Sequence, residues 1–327
     1  MRHGLLFVLL LSAVSAAGGQ ARPWVAPRAA DGHPDLQGLW ENNSATPLER
    51  PAAFAGKPRL TQAELDALKA QAARLFSADA DAVFGDAFYL GILENINRGL
   101  GATGSYSGNW LPPRNFEART SLITDPDNGK LPPMTEDALR ARAAAAASRP
   151  PFFRGPEDMF VTDRCISYGI PDLFAAYMSV YRIMQSADYI VIAMEKIHDV
   201  RIIPLDGRPH VSPRIRHYLG DSRGHWDGDT LVVETTNFHP NGNAMGGLFR
   251  FADQNLKLTE RFRRTGPGAL AYEFTVDDPT IWTRPWTAMV PWTAATGAIY
   301  EYACHEGNYS IANMLSAARA EEKTEKK

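Results

Sequence analysis

The stretch GDSRGHWDGDTLVVETTNF, residues 220–238, decides how the second half of this chain is read. Residues 230–236 are β-branched and apolar in the manner of a strand, residues 223–226 form a second short strand, and the dipeptide Asp227-Gly228 between them is a strong signal for a two-residue hairpin. Turn geometry accounts for Asp227 and Asp229. Asp221, Arg223 and His225 are different, because they alternate along the incoming strand and therefore share one face. Such a row is either a solvated ladder or the polar lining of a pocket, and both readings stay open at this point.

Working outward, residues 179–185, 189–195, 200–205, 256–263, 269–276, 286–292 and 299–304 are each strand-length and rich in β-branched or aromatic residues, with a further turn at 265–268. So many consecutive strands need an arrangement that limits open edges. The expected fold is mainly β with some helix (α+β): an antiparallel up-and-down barrel, lipocalin-like, with the N-terminal helices packed outside it. A two-sheet sandwich is the alternative. Upstream, residues 36–40 read as a first short strand, and Thr61 with Glu64 forms a capping box that opens an amphipathic helix with Leu65, Leu68, Ala72 and Leu75 on one face. Residues 78–115 read as long loops with one short helix, and Thr135 starts an Ala-rich helix running to about Ser148. Three regions follow: 1–21, 22–150 (extended and helical) and 151–327 (the barrel).

The first region, MRHGLLFVLLLSAVSAAGGQA, has a basic start at Arg2, an apolar run from Leu5 to Leu11 and a small-residue exit at Ala16 and Ala17, which is the pattern of a secretory signal peptide. The apolar run falls short of the roughly 20 residues that span a bilayer, and no later segment is apolar enough, so a secreted or periplasmic protein with no transmembrane segment in the mature chain is expected. Cys165 and Cys304 are the two cysteines. In an oxidising compartment they are expected to form one disulfide, separate buried thiols being the alternative. With 327 residues and 45% hydrophobic content the chain can bury a large core, and a net charge of −3 gives no electrostatic case for nucleic acid or an anionic membrane.

The segments RTSLITDPDNGKLPP, RIIPLDGRPH, GDSRGHWDGDTLVVETTNF, VDDPTIWTRPWT and YEYACHEGN carry a resemblance over about residues 31–321. The chain resembles a large, uncharacterised family of secreted bacterial proteins. The resemblance implies export and brings no reaction with it.

Chemistry must come from the residues. Glu260 sits on the apolar face of its strand beside Leu258 and Phe262, where a carboxylate has to be paired, hydrogen-bonded or protonated. It is either a general acid or base or a buried partner of an arginine. His305, next to Glu306 at a strand end, is the best proton-transfer candidate by its ordinary pKa of about 6.5, with carbonyl capping as the alternative. Arg284 among Trp282, Trp286 and Trp292 offers a cation between aromatic walls, or plain core. Arg208 and His210 follow a turn from which they can overhang the barrel mouth. No histidine pair has zinc-like spacing and no nucleotide-binding loop is present, so neither metal nor cofactor is expected. GDSRG also lacks the G-x-S-x-G elbow of a serine hydrolase. The expected function is a cofactor-independent enzyme (lyase, isomerase or hydrolase) acting on a small, partly apolar molecule. Glu260 or His305 would move protons beside Asp221, Arg223 or Arg284 would steady negative charge, and Arg284, Trp286, Trp282, His225, His210 and Glu306 would contact substrate. The alternative is a carrier that binds such a molecule and catalyses nothing.

Overall fold

The central hairpin forms one residue away from the expected register: Asp227 pairs with Thr230, so the turn residues are Gly228 and Asp229, with Gly228 at φ 57°. Gly is what a turn position of positive φ favours. The structure is a computed structural model that describes residues 24–76, 82–96, 108, 111–148, 152–173, 178–240 and 254–325. The signal peptide expected over residues 1–21 lies outside them.

In chain order the elements are β1 (Gly38–Glu41), α1 (Gln62–Leu75), α2 (Asp86–Glu94), β2 (Ile123–Asp125), α3 (Glu136–Ala147), β3 (Val180–Gln185), β4 (Tyr189–Met194) and β5 (Val200–Pro204). They continue with β6 (Asp221–Asp227), β7 (Thr230–Thr236), β8 (Lys257–Gly266), β9 (Ala269–Asp277), β10 (Trp286–Ala294) and α4 (Ser310–Glu325). The capping box of α1 is present, Thr61 Oγ1 accepting from the Glu64 amide while the Glu64 carboxylate accepts from the Thr61 amide. Leu65, Leu68 and Ala72 are its buried residues.

The sheet runs β5-β4-β3-β1-β10-β9-β8-β7-β6, with β2 added on β10. Followed around the ring, this is sequence order: β1, β3, β4 and β5, then β6 to β10, with β10 closing on β1. An antiparallel up-and-down barrel, nearly closed, is therefore the fold. Every hydrogen-bonded neighbour along the path is antiparallel. Nine strands on that path are an odd number, so its two ends, β5 and β6, must point the same way. A parallel pair cannot be joined by a tight hairpin, and the connection over residues 205–220 makes the return. Among the described residues the barrel has one seam, between β5 and β6, with no ladder across it.

The strand expected over residues 299–304 does not form. β1 and β2 already occupy the edge of β10 that faces away from β9, which leaves β10 no edge to offer. Tyr300 and Glu301 stay exposed, and the segment is held instead by the Tyr300 amide on Glu195 Oε1 at 3.1 Å and by the disulfide between Cys165 and Cys304.

The barrel interior buries Trp286, Phe274, Phe262, Tyr272, Trp292, Tyr181 and the inward aliphatics of β3 to β5 in one cluster. A second apolar cluster, built on α1 and α2, contains Leu60, Leu65, Leu68, Phe88, Tyr89 and Ile92. Among the described residues, no helix is long and apolar enough to cross a membrane.

Candidate functional site

The seam is where polar groups gather. On β5 the inward positions are Arg201 and Ile203, and on β6 they are Ser222 and Gly224. Arg201 reaches across the seam from inside: it donates to Ser222 Oγ at 3.0 Å, to Thr235 Oγ1 at 3.2 Å, and to both carboxylate oxygens of Glu260 at 2.6 and 3.0 Å. Tyr272 donates a further bond to Glu260 Oε1 at 2.8 Å. Both ionic side chains are almost wholly buried. Opposite charge outweighs desolvation at Arg201, whose guanidinium is held above its ordinary pKa by Glu260, while burial leads Glu260 in keeping the Tyr272 phenol well above 10. Glu260 thus stands where the sequence puts it, on the inner face, with its oxygens committed to Arg201 and Tyr272.

Towards the starts of β5 and β6 the seam opens into a cleft of about 580 Å³ lined by Ser167, Asp199, Arg201, His217, Asp221 and Ser222 among others. Further along, side chains close it: a Cβ on Gly224 would lie 2.8 Å from Leu205 Cδ2 and 2.9 Å from Ile203 Cγ2. Glycine is what lets the two strands meet there without hydrogen bonds.

Three of the expected site residues meet at Asp221, the one of them that lines this cleft. Asp221, with a side chain only 10% exposed, pairs through Oδ1 with Arg223 Nη1 at 3.0 Å and through Oδ2 with His210 Nδ1 at 2.9 Å. The Val211 amide donates to the same Oδ2 at 3.1 Å, and Arg223 is fixed in turn by the carbonyls of Pro209 and Ser222. His210 and Val211 belong to the 205–220 connection that the parallel seam requires, so topology brings this histidine to the Asp221 carboxylate.

Asp199 faces the cleft from the other side. Its Oδ2 accepts from Ser167 Oγ at 3.0 Å and from the Tyr168 amide at 2.8 Å, and burial pushes its carboxyl above the ordinary 3.8 against those bonds. The Tyr168 ring lies 4.5 Å from Lys196 Nζ, which is bonded at 2.7 Å to Asp172, and Tyr181 donates to the same Asp172 oxygen at 2.9 Å. Burial lowers the Lys196 amine from 10.5, with Asp172 opposing, and raises the Tyr181 phenol well above 10. The turn that carries Lys196 and leads to Asp199 holds two consecutive left-handed residues, Ile197 at φ 51° and His198 at φ 50°. For a β-branched residue this is a costly conformation, of order 1–3 kcal/mol, and such strain tends to collect at functional sites.

The remaining expected residues lie elsewhere. His225 points outward and is exposed. Trp282 and Trp286 are core side chains at 4% and 0% exposure, packed edge to face, and are not walls of an open pocket. Arg284 lies outside that core, paired with Asp125 at 2.6 Å. His305 and Glu306 are exposed in the loop before α4. Arg223 and Glu260 project from opposite faces of the sheet, so they do not serve one substrate together. Sequence reasoning missed Arg201, although a cation on the buried face of a strand is the same signal that singled out Glu260. It also missed Asp199, which no local pattern marks. No protein-family model, no curated protein and no solved structure matches the chain.

Proposed function

We propose that this chain is an exported, cofactor-independent enzyme that performs acid–base chemistry on a small, partly apolar molecule held in the seam cleft. The observation that carries the reading is the single carboxylate of Asp221 held between Arg223 and His210 at the cleft rim. A carboxylate accepting from Nδ1 fixes the imidazole tautomer and leaves Nε2 as the nitrogen that takes a proton. Arg223 serves to hold Asp221 in place. Asp199, raised by burial, is suited to give a proton on the opposite side, since a carboxyl pushed towards neutrality is a better general acid. Val200 and Ile202, 52% and 64% exposed on the lip of the cleft, suit the apolar part of the substrate. The disulfide and the leader pattern support export.

The alternative, lipocalin-like use as a carrier, is separated by one experiment. Purified mature protein is incubated with a metabolite extract, and both turnover and retained ligands are profiled for wild type, His210→Gln and Asp221→Asn. Loss of turnover by about 10²- to 10⁴-fold in His210→Gln, with ligand still retained, supports the enzyme. Retention without turnover in the wild type supports the carrier, and turnover unaffected by either substitution removes the site.

A further inference from the structure

The lining of the seam cleft has a sign of charge. Its guanidinium and its two carboxylates belong to Arg201, Asp221 and Asp199, and two of the three are already compensated: Arg201 by both oxygens of Glu260, and Asp221 by Arg223. Asp199 differs from both. It is 8% exposed, and among the described residues it forms no ion pair. Its two hydrogen bonds, from Ser167 Oγ at 3.0 Å and the Tyr168 amide at 2.8 Å, both fall on Oδ2, so Oδ1 is the oxygen left to a ligand in the cleft. Those donors are neutral, and the adjacent His198, exposed to water, acts on the carboxyl less than either bond does. His217, the imidazole of the lining, is exposed as well.

A buried carboxylate without a counter-ion is costly, and burial accordingly holds the Asp199 carboxyl above its ordinary 3.8. A cation at Oδ1 offsets that cost. Apolar surface stands ready beside it, since half-buried Ile166 and Leu219 and exposed Val200 and Ile202 line the same cleft of about 580 Å³, a volume that holds small molecules. We propose that the substrate of the seam cleft is a small amine, its nitrogen at Asp199 and its apolar body along Ile166, Leu219, Val200 and Ile202. The inference rests on the reading of this cleft as an acid–base site in which Asp199 gives a proton. A neutral amine takes that proton from the Asp199 carboxyl, leaving an ammonium–carboxylate pair. An amine that arrives as ammonium sends the carboxyl proton to solvent, and the same pair results.

The test is calorimetric titration of the full mature protein at neutral pH with hexylamine, hexan-1-ol and hexanoate, one apolar chain under three head groups. The expected result is one hexylamine per chain, bound about ten-fold or more tighter than hexanol, with hexanoate weakest. Asp199→Asn keeps an acceptor for Ser167 and Tyr168 while removing the charge, so hexylamine should fall to the hexanol affinity in a folded protein. Ile202→Arg, at a 64% exposed position of the lip, sets a fixed cation at the cleft and should weaken hexylamine without weakening hexanoate. Absence of hexylamine binding, equal affinity for the alcohol, or an undiminished preference in Asp199→Asn would overturn the proposal. The reading it rests on fails separately. Turnover of a metabolite extract that His210→Gln abolishes, in a wild type with no preference for the amine, overturns the amine class alone. An Asp199-dependent preference in a wild type that turns nothing over supports the amine as ligand and removes the catalysis.

Discussion

Arg201 on β5 and Glu260 on β8 form a bidentate ion pair inside the barrel, and the same guanidinium continues to Ser222 on β6, on the far side of the only seam in the strand path. Where ladder hydrogen bonds are missing, one side chain joins β5 to β6, β7 and β8. The side chains are 4% and 1% exposed, so removing either partner strands a buried charge. Arg201→Met and Glu260→Gln are each expected to cost about 3–5 kcal/mol. Replacing both by apolar residues together should cost less than the sum, because a buried ion pair exchanged for packed apolar atoms is often near neutral. Denaturant titration of the three variants checks this, and single-variant losses below about 1 kcal/mol would show that the seam is held by something else.

Gly224 and Gly220 are predicted to resist substitution for different reasons. A Cβ on Gly224 meets the ends of Ile203 and Leu205, so Gly224→Val should cost about 1–3 kcal/mol through overpacking. Gly220 has φ 68°, and its Cβ would stand 2.6 Å from the Thr236 carbonyl oxygen, which is backbone and cannot turn aside. Gly220→Ala should therefore be the more damaging of the two despite its smaller side chain, a ranking that thermal melts can read directly.

The disulfide ties residues 139 positions apart and anchors the segment that failed to become a strand. Chain entropy gives a loop of this length on the order of 4 to 5 kcal/mol. The Cys165→Ser, Cys304→Ser double variant is expected to keep the barrel spectrum by circular dichroism while its denaturation midpoint falls accordingly. Release of α4 in the variant should appear as faster proteolysis after residue 295, and an unchanged midpoint would count against the tether.

Asp199 gives a pH dependence whose sign is fixed. Its carboxyl is raised in the folded state, so its contribution to stability is fully present below 3.8 and is lost as pH rises through the folded value. Asp199→Asn keeps an oxygen for Ser167 and Tyr168 while removing the buried charge. The variant should melt a few degrees above wild type at neutral pH, with the difference shrinking as pH falls towards 3.8. A difference constant from pH 3 to 8 would contradict the assignment.

Periodicity made most of the strands legible. Residues 230–236 were bounded correctly because their β-branched run ends on turn residues at both sides, and the α1 capping box was legible because its two hydrogen bonds are local. The inward position of Glu260 followed from alternation alone. Its partner did not, since pairing Arg201 with Glu260 depends on bringing β5 beside β6, a contact between residues 59 apart in sequence. The same holds for the site. Alternation put Asp221, Arg223 and His225 on one face, but only the ring of nine strands, odd in number, makes β5 and β6 parallel and sends residues 205–220 across the seam. That crossing brings His210 to Asp221 and leaves His225 in solvent. Local sequence determined most of the strands and which way their residues face, because those preferences act within a few bonds. Only the tertiary structure decided which faces meet, because closure of the barrel is a property of the whole set of strands and of their number.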